Sequence, residues 1–329
     1  MRLKDIYSIA VEKGIQKDPR NSSEIKGALE KARKEYRKSK GADRKAFDAE
    51  RLRNPYADTR ILYGDPDRDI RTIMVGIDME GPELLLADRF NQTGLLPYGP
   101  VGPEGRLSID LVLAHHPEGV AWARLYDVMG LQANMLNRFG IPLKIGEALL
   151  NERAGEVARL LAPANHFRAI DIARLLNMPF MCIHTPADNH VADYLQKLFD
   201  KAKLKKLSQV AEILKRIPEY ADGLKKGAGP KILIGDPDKA AGKIFVDMTG
   251  GTEGPKRVYA RLSQAGVGTI VGMHLSEEHF KYVKDEHMNI VIAGHIASDA
   301  LGMNLLLDSL EKTEKFNIVP CSGFTRVKR

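Results

Sequence analysis

An internal repeat restricts the fold of this chain more than any other feature. The segment ILYGDPDRDIRTIMVGID begins at residue 61, and ILIGDPDKAAGKIFVD begins at residue 232. Each copy joins a GDPD motif to an apolar stretch, and Gly-Pro then opens a predicted helix. Because Gly and Asp-Pro commonly form turns, we interpret GDPD as a turn. Two copies are too few for a solenoid, so they predict two similar α/β halves related by a pseudo-dyad.

Buried strands and helices alternate along the rest of the chain. The predicted strands are 71–78, 108–116 and 179–184, and the predicted helices include 82–90 and 191–204. Such alternation is typical of mainly parallel sheets flanked by helices. We therefore predict an α/β protein with a first half over residues 55–230, which contains a helical insertion at 119–176, and a second half over 231–329.

The N-terminal segment carries the basic character of the chain. Residues 1–60 contain 17 Lys and Arg and 10 Asp and Glu, an excess equal to the formal net charge of +7 for the whole protein. Ser22 and Ser23 predict the start of a helix. Basic helices can bind nucleic acid, but acidic residues are interleaved and few aromatic residues could stack on bases. We therefore favour a basic helical extension over residues 1–54 that packs against a partner, with nucleic-acid binding the less favoured interpretation.

Cysteine usage and hydropathy favour a cytoplasmic protein. Cys182 and Cys321 are the only cysteines, and two cysteines form neither a disulfide framework nor a zinc finger. Cys182 lies within an apolar strand, which places it in the predicted core. No apolar run reaches the roughly 18–20 residues needed to cross a bilayer, and charged residues interrupt the first apolar stretch of the chain. We expect no membrane partner.

Three groups of histidine and aspartate residues each follow a predicted strand: His115 with His116, His184 with Asp188, and His295 with Asp299. In open α/β sheets, binding sites form at the carboxyl ends of the strands. If a helix begins near residue 295, its histidine and aspartate lie one turn apart on the same face. The three groups are therefore candidates for a shared site.

Each group also has an ordinary structural explanation. Adjacent strand residues point to opposite faces, so His115 and His116 could be one core and one surface residue, or could bind two different metals. In the HTPAD segment, Thr185 could cap the next helix and Asp188 could complete a capping box. Pairs of His and Asp at helical spacing are common in proteins.

Together, the groups predict a dinuclear metal site. Three nitrogen and two oxygen donors suit Zn²⁺, Mn²⁺, Fe²⁺ or Co²⁺ better than Ca²⁺ or Mg²⁺. Five ligands are too many for one four-coordinate zinc ion, so we expect two ions with Asp188 as the bridge. Two adjacent ions can activate water and stabilise an oxyanion. The predicted ligands are His115, His116, Asp188, His295 and Asp299.

Two further histidines are candidates for proton transfer. A metal-bound histidine needs a partner that orients its second nitrogen, and His184 and His279 could fill that role or carry protons. His274 and His279 follow the predicted strand TIVGM, and they could form an outer shell, contact substrate or lie in a loop. No Ser-His-Asp or Cys-His arrangement is recognisable in the sequence.

The segments DLVLAHHP, IHTPADN and IVIAGHIASD, in this order, resemble the motifs of the NGG-one-interacting-factor-three superfamily, the Nif-three-like dinuclear metal centre proteins. The resemblance runs from about residue 55 to the C-terminus. It implies an α/β fold of two similar halves, a dinuclear site and often a ring-shaped homohexamer. Some members carry a GTP cyclohydrolase label. By position, the resemblance implies the ligands His115, His116, Asp188, His295 and Asp299.

The chain departs from the family at two points. The family usually has Glu where this chain has Asp299, and its Trp-Asp-Asn segment is not recognisable in NPYADTRILYGD. We therefore predict a divergent member: a metal-dependent hydrolase that acts on a small phosphorylated, nucleotide-like or amide substrate. The alternative is a non-enzymatic, oligomeric metal-binding or regulatory protein.

Overall fold

The computed structural model describes residues 1–94 and 108–329. Its strands are β1 (Arg60–Tyr63), β2 (Thr72–Gly76), β3 (Leu111–Ala114), β4 (Phe180–Cys182), β5 (Lys231–Ile234), β6 (Lys243–Asp247), β7 (Val267–Gly272), β8 (Asn289–Ile292) and β9 (Asn317–Pro320). They form one sheet in the order β1-β4-β3-β2-β9 and a second in the order β5-β8-β7-β6.

Helices cover the faces of both sheets, and two short 3-10 turns accompany them. The helices are α1 (Leu3–Lys17), α2 (Ser22–Lys38), α3 (Gly41–Ala46), α4 (Gly81–Thr93), α5 (Gly119–Ala123), α6 (Leu131–Arg138), α7 (Leu143–Leu161), α8 (Arg168–Leu176), α9 (Thr185–Ala202), α10 (Leu207–Lys215), α11 (Pro218–Lys225), α12 (Val258–Gln264), α13 (Glu277–Asp285) and α14 (His295–Leu310). None of these helices is both long and apolar enough to cross a membrane.

The two sheets repeat one topology, which confirms the predicted α/β fold of two similar halves. In each sheet, the strand that begins the repeat runs antiparallel to its neighbour, and the next three strands are parallel. The GDPD segments are turns, as predicted. The Asp67 N–H donates to Asp65 Oδ1 at 3.0 Å, and the Asp238 N–H donates to Asp236 Oδ1 at 2.9 Å.

The two halves are joined at their centre. Helices α9 and α14 pack directly against each other, and Gly302 on α14 permits this approach, because a Cβ there would lie 2.5 Å from the carbonyl oxygen of Ala187. Strand β9 pairs in parallel with β2, so the C-terminal part of the chain completes the sheet of the first half. One apolar core contains residues of both halves, including Val75 and Leu306.

The N-terminal segment divides into two parts. Leu3, Ile6 and Ala10 of α1 are fully buried in the main core, so α1 is an integral part of the fold rather than an outer extension. Helix α2 buries little beyond two apolar side chains. Helix α2 begins at Ser22, as predicted, and its cap is Asn21, whose side chain accepts from two backbone N–H groups.

The predicted insertion at 119–176 is helical over α5 to α8 and lies beside the carboxyl end of β3. Cys182 is fully buried, as predicted, and neither cysteine forms a disulfide. The insertion thus stands next to the end of the sheet at which the first histidine pair is found.

Candidate metal centre

The ends of three strands bring the histidine and aspartate groups together. His115 and His116 follow β3, and His184 follows β4, its parallel neighbour. The rings of His115 and His184 lie 4.8 Å apart between centroids. In the second half, β8 leads into α14, which begins at His295, and this ring lies 5.3 Å from that of His116.

The five predicted ligands and His184 form three overlapping groups, and within each group the potential ligand atoms lie within 4.8 Å of one another. The groups are His115, His116 and His184; His116, His295 and Asp299; and His115, Asp188 and Asp299. Asp299 belongs to two groups, whereas Asp188 belongs to one. Asp299, rather than Asp188, is therefore the carboxylate that two of the groups have in common.

Four buried atoms of this cluster lack hydrogen-bond partners among the described residues: His115 Nε2, Asp188 Oδ1 and both carboxylate oxygens of Asp299. Buried polar atoms are almost always hydrogen-bonded, and buried charges are paired or bind metals. An adjacent set of nitrogen and carboxylate donors without other partners fits a divalent transition-metal ion. These buried groups can therefore hold a metal ion.

Contacts behind the histidines orient their rings. His115 Nδ1 donates to the carbonyl oxygen of Ile183 at 3.0 Å, and His116 Nδ1 donates to Asp78 Oδ1 at 2.6 Å. When these rings are neutral, the lone pair lies on Nε2, which faces Asp299 at 3.5 Å in His115 and at 3.4 Å in His116. Such partners fix the tautomer and orientation of metal-binding histidines.

Asp58 is a site residue that sequence analysis missed. It is fully buried and accepts hydrogen bonds from His184 Nδ1 at 2.9 Å and from Thr185 Oγ1 at 2.6 Å. Thr185 therefore does not cap α9, which begins without a side-chain cap. The capping explanation for Asp188 is wrong, because this side chain faces His115 instead. The position of Asp58 just before β1 was the only signal for its role.

The cluster carries a strong electrostatic field. Burial alone would lower the pKa of His115, but Asp299 and Asp188 outweigh it and raise this pKa to about 10. For His116, burial again opposes the shift, and the neighbouring carboxylates of Asp299 and Asp78 raise the pKa to about 9. Burial would raise the pKa of Asp299, but the histidines hold it well below its usual range. The carboxylates of Asp188 and Asp299 thus stabilise positive charge on the groups next to them.

A cavity of about 390 Å³ opens above the cluster. His116, His184 and His295 line it, together with the carboxylates Asp188 and Asp299. Glu118 and, from the insertion, Trp122, Leu125 and Arg168 also line the cavity, and the second sheet supplies further lining residues. The volume lies within the range of small-molecule sites.

His279 and His274 differ in their relation to this cavity. His279 is buried behind the cavity wall and does not itself line the cavity, and its ring nitrogens hydrogen-bond to Ser276 Oγ at 2.7 Å and to the Gly254 carbonyl oxygen at 2.9 Å. Its role in proton transfer stays a prediction. His274 lines the cavity, with its ring 4.8 Å from that of His295.

The fold has solved relatives. A NIF3 superfamily protein from Sphaerobacter thermophilus superposes with a TM-score of 0.67 and 24% sequence identity, over 92% of this chain and 98% of that one. This chain has the NIF3 superfamily fold. The resemblance inferred from the motifs is thus confirmed for the fold, and the candidate metal centre lies where the two halves of the NIF3 fold meet.

Two further structures match less closely. Reduced HcgD from Methanocaldococcus jannaschii gives a TM-score of 0.47 at 12% identity, over 84% of this chain and 93% of that one. A Bacillus cereus protein related to NIF3 gives 0.39 at 12% identity, over 92% and 96%. No protein-family model matches the sequence, and a search of curated proteins finds no match.

Proposed function

We propose that this chain is a divergent NIF3 superfamily member that binds two divalent transition-metal ions and acts as a hydrolase. His115, Asp188 and Asp299 would hold one ion, and His116 and His295 would hold the other together with Asp299. The observation that carries this proposal is the set of four buried donor atoms without hydrogen-bond partners among the described residues. Zn²⁺, Mn²⁺, Fe²⁺ and Co²⁺ all suit such donors.

The surrounding side chains support hydrolytic chemistry. When bound, a pair of such ions lowers the pKa of water and neutralises charge on a substrate. Asp58 accepts a hydrogen bond from His184 Nδ1–H, which would leave Nε2 of this ring to exchange a proton with a group in the cavity. Arg168 lines the same cavity, is mostly exposed and pairs with Glu80 at 3.2 Å, so a phosphorylated or nucleotide-like substrate would compete with Glu80 for this guanidinium group. Amide substrates fit the cavity volume equally well.

Metal analysis of the purified protein tests the proposal. We expect about two ions per chain in the wild type, about one in His116→Ala and fewer than one in Asp299→Asn, because Asp299 would serve both ions. His287→Asn is the matched control, since His287 has a positive φ that asparagine tolerates and lies outside the three groups. A metal content that is unchanged in Asp299→Asn contradicts the proposed centre.

Turnover separates the hydrolase from the alternative, a non-enzymatic metal-binding or regulatory protein. We expect the wild type to cleave at least one member of a panel of phosphoesters, nucleotides and amides, and His116→Ala to lose that activity. Full metal content without turnover would favour the alternative. The cytoplasmic location and the homohexamer implied by the resemblance belong to the same proposal, and light scattering of the purified protein tests the hexamer.

Nucleic-acid binding through residues 1–54 receives no support from the contacts in this segment. Several basic side chains there pair with acids, as in Arg20 with Asp18 at 2.8 Å and Arg51 with Glu35 at 2.6 Å. Paired charges give weaker contacts to phosphates than free ones. The hydrolase therefore remains the better proposal.

A further inference from the structure

One face of the second sheet forms an apolar floor in the cavity. Ile270 on β7 and Ile290 and Ile292 on β8 line it, in register across the parallel pairs β6·β7 and β7·β8. Asp247 is the last residue of β6 and lies two positions after Phe245, so it shares this face. A carboxyl group thus ends an otherwise apolar surface.

Asp247 has no side-chain hydrogen bond or ion pair within residues 1–94 and 108–329, although it lines the cavity. Its register partner on β7 is Gly272, which has no side chain to cover it. A Cβ at Gly272 would make ordinary van der Waals contacts, 3.4 Å from the carbonyl oxygen of His274 and 3.8 Å from that of Asp247, so a methyl group fits there. Asp247 therefore lines the cavity without a side chain from its register partner to cover it.

The charged groups around Asp247 do not neutralise it. Glu253, an anion, accepts from the Ser276 N–H at 2.7 Å, and its carboxylate lies 3.5 Å from His274 Nδ1 and 3.4 Å from His279 Nδ1. Burial and the negative charge of Glu253 raise the pKa of Asp247 to about 6, while His279 and His274 oppose the rise. A cationic ligand would reverse this shift.

We propose that Asp247 and the apolar side chains beside it form a subsite for a planar, N–H-bearing cationic group, an amidinium or guanidinium, carried on an apolar body. The proposal rests on the proposed function only in taking this cavity as the place where substrate binds. Two carboxylate oxygens without partners match two parallel N–H donors, the strongest arrangement for such a pair. The isoleucines and Tyr259, which also line the cavity, would pack against the apolar body.

The residues around Asp247 do not suit a metal ion. Among the described residues, the groups of three or more potential ligands all lie at the His115–Asp299 cluster, and none includes Asp247. An organic cation that brings its own N–H donors and apolar surface is therefore the ligand class that this subsite fits.

Benzamidine is the direct probe. Benzylamine is a cation whose ammonium group is not planar, and benzamide is a neutral analogue. We expect calorimetry on the chelator-treated full-length protein to detect benzamidine binding. Asp247→Asn should weaken it about tenfold or more, because the charge-assisted pair is lost. A ¹³C signal of the Asp247 carboxyl group should shift on binding, and the apparent pKa of this group should fall.

Gly272→Ala keeps the carboxylate but places a methyl group beside it, so it should also weaken benzamidine binding. This variant tests the proposal if Asp247→Asn fails to fold. Equal affinity of the wild type and a folded Asp247→Asn overturns the proposal, as does undetectable wild-type binding. Equal affinity for benzylamine overturns the assignment of a planar group. Because these measurements use metal-free protein, their failure is distinct from a failure of the metal analysis.

Discussion

At the centre of the site, one carboxylate meets three imidazoles. Asp299 is buried, and its oxygens lie 3.4 to 3.5 Å from Nε2 of His115, His116 and His295. These distances exceed those of good hydrogen bonds, so the groups are close without satisfying one another. The arrangement leaves room for cations between them. The side chains that hydrogen-bond to the far side of each imidazole ring then set the orientation of its Nε2 atom.

Asp78 should matter for metal affinity although it belongs to none of the three groups. It accepts from His116 Nδ1, and loss of such a partner typically lowers metal affinity about 10- to 100-fold. We expect Asp78→Asn to weaken binding of the ion that His116 is proposed to hold, measured by competition with a chromophoric chelator. Asp88→Asn on α4 is the control and should leave the affinity unchanged. Equal affinities in the two variants would contradict the orienting role.

His190 should make stability depend on pH. It is 4% exposed in α9, and burial, opposed by its bond to the Pro186 carbonyl oxygen, lowers its pKa to about 4. Since the unfolded pKa is near 6.5, the unfolded state binds the proton more readily. Burying the neutral His190 ring therefore costs no stability above pH 6.5, and the free energy of unfolding decreases as the pH falls from 6.5 towards 4.

Urea unfolding of chelator-treated protein at pH 7 and pH 4.5 measures this effect. We expect the wild type to lose roughly 2–3 kcal/mol more than His190→Gln between these two values, from the shift in pKa. The histidines of the metal centre have raised pKa values, so they affect the free energy of unfolding in the opposite direction. This effect is the same in both proteins and cancels when their losses are subtracted. A parallel decline in both proteins would show that His190 does not titrate as inferred.

At the scale of elements, the site depends on the contact between α9 and α14. Asp188 lies on α9 and Asp299 on α14, and each belongs to a different half of the chain. Gly302 sets the spacing of these helices, since any side chain there meets the Ala187 carbonyl oxygen. The distance between the two carboxylates is therefore controlled by a glycine outside the cluster.

Gly302→Ala should destabilise the protein by about 1–3 kcal/mol, the usual effect of overpacking, and should also lower metal affinity by separating the helices. Thermal unfolding and chelator competition measure the two effects. Gly27→Ala on α2 is the matched control: a Cβ there meets nothing within 4 Å, so it should leave metal binding unchanged and stabilise the helix slightly. A stable Gly302→Ala with full affinity would contradict this dependence.

At the scale of the whole molecule, the halves share structure too extensively to fold apart. The main core draws Ile73 and Val75 from the first sheet, Ile270 from the second, and Leu306 from α14. Strand β9 lies beside β2 although residues 231–316 of the second half precede it. The molecule should therefore behave as one cooperative unit despite its internal repeat.

Equilibrium unfolding can show this cooperativity, because Trp122 is the single tryptophan and belongs to the first half. We expect its fluorescence and the far-UV circular dichroism of the whole chain to give the same midpoint in urea. Leu306→Ala, fully buried on α14, should shift both midpoints together, with a loss of about 2–5 kcal/mol. Separate transitions for the two probes would show that the halves unfold independently.

Much of this protein follows from local patterns in the sequence. Apolar runs and helix signals place the strands and helices, and the GDPD repeat indicates two halves, because periodicity and turn chemistry act over a few residues. Parallel strands end at a common edge, so His115, His116, His184 and Asp188 could be assigned to one site from their position after strands. The prediction that His295 and Asp299 lie one turn apart in a helix is confirmed, since α14 begins at His295.

Only the tertiary structure decided which partners these residues meet. Asp58 and Asp78 orient histidines more than 35 residues away, Asp299 rather than Asp188 is shared between groups, and α1 and β9 join a core far from them in the chain. Such contacts cannot be inferred from the spacing of residues along the chain. They arise because each buried polar group must find a partner and each apolar face must be covered, and the whole fold determines which ones are within reach.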